Sequence, residues 1–156
     1  MTHGIVTAPQ PEAVEVGSLI LQDGGNAVDS AISSALVQTV VDPMMCGIAG
    51  FGSLQLYMPE KNFHGFIDFH TTAPYKVKED MWEDQIAHEA RDGFGFILKN
   101  RANEVGYESI MTPGTLKGFY EAIQEFGTMP WEDIIQPAID FAEEGFIISP
   151  AIDEFW

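Results

Sequence analysis

Residues 26–43 limit the choice of fold more than any other stretch of this chain. Asn26 is a residue type that caps helices and Asp29 follows three positions on. Val28, Ala31, Ile32, Ala35, Leu36 and Val40 then recur at helical spacing until Pro43 stops the run. That stripe is rich in Ala and Ser, so a second element must approach it closely. The glycine-rich residues 47–52 come next and lead into two runs of strand character, Ser53–Met58 and 63–69, joined around Glu60, Lys61 and Asn62. A closely packed helix that feeds a hairpin is therefore the expected nucleus.

The flanks supply more elements. Residues 5–8 read as a short strand, and Pro9 and Pro11 stand where a helix can begin, with Ala13, Val16, Ile20 and Leu21 inward and Gly24 and Gly25 as the stop. From Pro74 to about Ile110 no period is visible, so loops and at most one short helix are expected. Thr112 and Pro113 look like the cap and first residue of a helix that carries Leu116, Phe119, Tyr120 and Ile123 to a stop at Gly127. Another begins near Pro130, with Glu132 and Asp133 in its first turn, a kink at Pro137 and an end at Gly145. Residues 149–156 read as the first turns of one more helix, cut before a stop signal and leaving Phe155 and Trp156 in need of a covering partner. No repeat or linker marks an internal boundary, so 1–156 is read as one segment.

Composition narrows the partners. The chain of 156 residues holds 24 acidic and 7 basic side chains, a formal charge of −17, which disfavours nucleic acid and anionic membrane surfaces. A lone cysteine, Cys46, rules out an internal disulfide and any multi-cysteine metal framework, and is read as a plain buried thiol. No run approaches the ~18 apolar residues that span a bilayer, and residues 1–10 carry no basic stretch followed by an apolar run, so any export signal is absent or removed; the compartment stays open, with the cytoplasm slightly favoured.

Laid end to end, these pieces resemble the γ-glutamyltranspeptidase family. Its large subunit opens with a strand, a helix and a Gly-Gly-Asn-Ala-hydrophobic-Asp segment, present here as Gly24, Gly25, Asn26, Ala27, Val28 and Asp29. A glycine-rich strand entry follows at 47–52, with Ala49 and Phe51 departing from it. The family's Ile-Asp-Phe-Arg-x-x-Ala-Pro signature is matched by Ile67, Asp68, Phe69, His70, Thr71, Thr72, Ala73 and Pro74. A third block runs through Thr112, Pro113, Gly114 and Thr115, then Phe126 to Pro130, Gln136 to Ala138, and Glu144 to Phe146. The resemblance implies an α+β fold, part of the αββα four-layer sandwich of the N-terminal-nucleophile hydrolases.

It also implies acyl transfer or amide hydrolysis by a threonine newly exposed at the front of a small subunit, a group outside this chain, with no cofactor. The chain alone is then expected to be inactive and to fold poorly. Its partners would be the small catalytic subunit or the rest of a precursor and a γ-glutamyl or other acyl-amide substrate, and a homo-oligomer is allowed. The alternatives are a non-catalytic binding or assembly module built on the same fold, and an acylase of non-glutamyl specificity. Thr2 superficially imitates the nucleophile, but residues 4–8 match the start of the large subunit.

No catalytic residue is assigned within the chain, and the resemblance places substrate binding at His70, Thr71 and Thr72. His70 stands where relatives hold the arginine that grips the glutamyl α-carboxylate. An arginine fork makes two parallel charged hydrogen bonds to a carboxylate, whereas an imidazole offers one donor per side. A metal site at His64, Asp68 and His70 is disfavoured, because at ~3.3 Å per residue His64 and His70 lie roughly 20 Å apart, and only Asp68 and His70 can pair. Asn26 and Asp29 are read as a helix cap, Tyr57, Phe63, Phe66 and Phe69 as core, and the acidic residues of 79–89 as a solvated surface.

Overall fold

The computed structural model describes residues 4–154. Within it the chain forms two compact units, one from residues 4–70 and 114–154 and the other from Thr71–Pro113. The first contains helices α1 (Pro11–Gln22) and α2 (Ala27–Val41) and a hairpin of β1 (Ser53–Met58) with β2 (Phe63–Asp68). The second holds the ribbon of β3 (Ile86–Glu89) and β4 (Phe96–Leu98), after which α3 (Thr115–Phe126), α4 (Trp131–Glu144) and the short α5 (Pro150–Asp153) complete the first. Helices beside small antiparallel sheets make the chain α+β. Thr2, Phe155 and Trp156 lie outside the described residues.

The local signals set the helix ends. Past α1, the Gly24 N–H bonds the Leu21 carbonyl and the Gly25 N–H bonds the Ile20 carbonyl, the paired bonds that close a helix C-terminus. At α2 the Asn26 Oδ1 accepts the N–H groups of Val28 and Asp29, and Asp29 Oδ2 accepts the N–H of Asn26 at 2.8 Å, so cap and third residue satisfy each other. Asn26 Nδ2 also donates to the Phe126 carbonyl at 2.7 Å, so the cap ties α2 to the end of α3. Asn26→Ala is expected to cost about 1–2 kcal/mol of stability, read from the denaturation midpoint of the complete protein. A loss under a few tenths would show that water replaces both sets of bonds.

Packing around α2 is closer than one apolar stripe would require. Ser30 and Ser34 donate to the carbonyls of Gly17 and Ala13 in α1, and Ser33 donates to the carbonyl of Ile134 in α4. All three serines are buried, together with Val28, Ile32, Leu36, Val37 and Val41. The helix is thus covered on two sides, and Ala31, expected inward, is exposed. A serine is small enough to let a neighbouring backbone approach and offers the hydroxyl that this approach demands.

The hairpin lies where the sequence placed it, in register from Ser53 opposite Asp68 to Met58 opposite Phe63, with Asn62 in the left-handed region at φ 50° closing its turn. Leu56 and Met58 reach the core, and Leu54, Phe63, Ile67 and Phe69 pack against it. Tyr57 and Phe66, assigned to the core above, are instead exposed. Alternation along a strand sends them to the opposite face, and the helices of this unit cover only one face. Residues 5–8 form no strand either, since an extended segment makes a ladder only beside a partner strand.

Helix α3 starts two residues later than expected. Thr112 is drawn away from capping because it exchanges backbone hydrogen bonds with Thr72, at 3.2 and 3.0 Å, and Gly114 takes the cap position. Helix α4 runs through Pro137 to Gly145. In the second unit the β3–β4 ribbon is bulged between Ile86 and His88, an element the aperiodic sequence did not signal. The acidic side chains Glu79, Asp80, Glu83, Asp84 and Glu89 are exposed there.

Candidate functional site

The site grows from the end of β2. The Phe69 N–H bonds the Gly52 carbonyl at 3.1 Å and extends the hairpin ladder by one residue. The Phe69 ring then lies against α3, edge-on to Phe119 with centroids 5.5 Å apart. Two glycines permit that seat: a Cβ at Gly114 would overlap the Phe69 carbonyl, and one at Gly118 would overlap its ring. The Gly50 carbonyl accepts the N–H groups of Gly114 and Thr115, at 3.0 and 3.3 Å, and so joins the glycine-rich loop to the start of α3. Those contacts bring residues 50–52, 69–70 and 114–118 together, although more than 40 residues separate the last two groups.

His70 follows immediately. Its backbone N–H and its ring Nδ1 both bond Asp68 Oδ1, at 2.9 and 2.8 Å, and the Phe51 ring lies 5.0 Å from the imidazole at a tilt of 37°. Both side chains of the pair are more than half exposed. The Asp68 carboxyl is held below its ordinary range, first by the backbone N–H of His70 and then by the ring. Phe51 also borders an open hollow of about 470 Å³ whose walls include Gly50, Phe69, Thr115 and Phe119.

Among the sequence-derived candidates, the structure joins His70 to Asp68 and adds Phe51, which the residue pattern did not single out as a partner. His64 is set against Tyr57, edge-on at 5.4 Å. Thr71 and Thr72 belong to the second unit, where Thr72 uses its backbone to bridge Thr112, and a binding role for them rests on the resemblance alone. The Cys46 thiol, half-buried, donates to the carbonyls of Gln38 and Asp42, and its pKa is raised by burial and then by the Asp42 charge, which leaves it a poor nucleophile. Asp29 accepts from Asn26, Thr128 and Met129 and is structural. No described helix is long and apolar enough to cross a membrane, and the described residues contain no group of three metal-ligating side chains.

Residues 13–156 match the model of the family described as gamma-glutamyltranspeptidase, and the chain belongs to that family. It is 40% identical over 152 residues to the acylase ACY 1 proenzyme of Pseudomonas sp. strain V22, covering 96% of this chain and 26% of that protein. It is 34% identical over 146 residues to the glutathione hydrolase proenzyme of Pseudomonas aeruginosa, covering 94% of this chain and 24% of that protein. The chain thus spans about a quarter of the length of these curated relatives. Among solved structures, the gamma-glutamyltranspeptidase of Helicobacter pylori superposes with a TM-score of 0.84 at 28% identity, over 99% of this chain and 42% of that one. The cephalosporin acylase of Bacillus halodurans gives 0.79 at 26% identity, over 94% of this chain and 25% of that one. The fold is that of the N-terminal-nucleophile hydrolases.

Proposed function

We propose that this chain is the opening part of the large subunit of an amide-hydrolysing or acyl-transferring enzyme, completed by a small subunit led by a threonine. In that reading the threonine hydroxyl attacks the amide carbonyl and passes its proton to its own α-amine, and the amine leaving group departs with a proton. The ester that remains is resolved by water or by an acceptor amine. The proenzyme names of the similar proteins support a precursor that is cut into two subunits.

The acyl group is the open part, and His70 is the observation that bears on it. A permanently charged fork is absent from the position that in relatives grips the glutamyl α-carboxylate, and the higher identity is to a protein named as an acylase. Both favour an acyl donor other than glutamyl. The test is kinetic, on the complete processed enzyme. His70→Arg should raise kcat/KM for a γ-glutamyl anilide about 10-fold or more relative to an acyl anilide that lacks the α-carboxylate. An unchanged ratio would remove His70 from acyl recognition, and a precursor that yields no threonine-led chain would remove the enzymatic reading itself.

A further inference from the structure

The imidazole of His70 is held in a way that decides which of its nitrogens does what. A carboxylate oxygen has lone pairs and no proton to give, so the 2.8 Å contact from Asp68 Oδ1 must be to a protonated Nδ1. The same oxygen accepts the backbone N–H of His70 at 2.9 Å, which locks the Asp68 carboxylate in place two residues before the ring it orients. Phe51 lies beside that ring at a tilt, and a half-turn of the imidazole would set a C–H against the carboxylate. The low pKa of the Asp68 carboxyl keeps it an acceptor throughout the neutral range. Among the described residues no protein group pairs with Nε2. In the neutral ring, then, the nitrogen left available carries a lone pair.

We propose that Asp68 is a positioning residue that fixes His70 with its proton on Nδ1, so that Nε2 meets the acyl chain of the substrate as a hydrogen-bond acceptor and selects an N–H or O–H donor there. The inference rests on the placement of His70 in the acyl-donor pocket proposed above, and it deepens that reading by naming the chemistry the position takes. An arginine at this place can only donate, and it suits a carboxylate. The Asp68–His70 pair reverses that polarity: it accepts, and the carboxylate charge behind the ring disfavours a second carboxylate in front of it. A terminal primary amide, hydroxyl or ammonium group is the matching class.

The test uses the complete processed enzyme with ¹⁵N-labelled histidine at about pH 8, above the ordinary imidazole range. Long-range ¹H–¹⁵N spectra should show His70 protonated at Nδ1, and Asp68→Ala, which removes the oxygen that accepts from Nδ1, should release that preference. Glutaramide should shift the Nε2 resonance and glutarate should not. With acyl anilides that end in a primary amide or in a carboxylate, the wild type should favour the amide about 10-fold in KM, and Asp68→Ala should lose that preference. A proton found on Nε2 in the wild type, a response to glutarate equal to that to glutaramide, or an amide preference unaltered in Asp68→Ala would each overturn the proposal. If no anilide is turned over, the enzymatic reading fails, while the tautomer and the glutaramide response still decide the role of the pair.

Discussion

Asp29→Ala should destabilise the complete protein by about 3 kcal/mol or more, a loss measurable as a lowered denaturation midpoint. The Asp29 side chain is fully buried and accepts from the Asn26 N–H, from the Thr128 N–H and hydroxyl, and more weakly from the Met129 N–H at 3.4 Å. Alanine would remove the acceptor from all four donors, and a hydrogen bond to a charged group is worth about 1.5–3 kcal/mol, less where water can reach the donor, as at the exposed Thr128. The donors lie up to 103 positions apart in sequence, from the start of α2 to the turn between α3 and α4, so the damage would not stay local. Position 29 also lies in the first turn of α2, where the helix dipole favours a negative charge. Asp29→Asn keeps one acceptor oxygen and should lose roughly half as much. A loss below about 1 kcal/mol for the alanine variant would mean that water enters and satisfies the donors.

Gly114→Val should both destabilise the protein and lower turnover by 10-fold or more. The new Cβ would meet the Phe69 carbonyl and come within 3.2 Å of the His70 carbonyl oxygen, so backbone and not merely a side chain has to move. Forcing extra carbon into a filled site costs about 1–3 kcal/mol, and the segment displaced here carries the Asp68–His70 pair. Gly118→Ala is the comparison, because its Cβ meets the Phe69 ring instead of the chain that bears His70. It should lose similar stability with a smaller fall in kcat/KM. Equal turnover in wild type and Gly114→Val would show that the position of this strand end does not matter to the reaction.

Much of this arrangement was legible in the residues because the signals are short-ranged. The cap at Asn26, the stop at Gly24 and the ends of the hairpin depend on contacts within a few positions, and these elements lie where expected. The signature that holds His70 was also visible, and so was the proximity of His70 to Asp68, since residues two apart on one strand share a face. The misplaced features depended on partners far along the chain. Thr112 does not cap α3 because Thr72 claims its backbone, and the start of the chain forms no strand without a neighbour to pair with.

The sequence by itself determined the family, the cap of α2, the stop of α1, the hairpin, and the replacement of an arginine by His70. Tertiary structure alone decided that Tyr57 and Phe66 face outward, that the serines of α2 serve two helices, and that Phe51 lies beside the imidazole. The physical reason is one of range. Periodicity tells how a strand or helix divides its faces, but which face is covered depends on elements up to about a hundred residues away, as the bond from Ser33 to Ile134 shows.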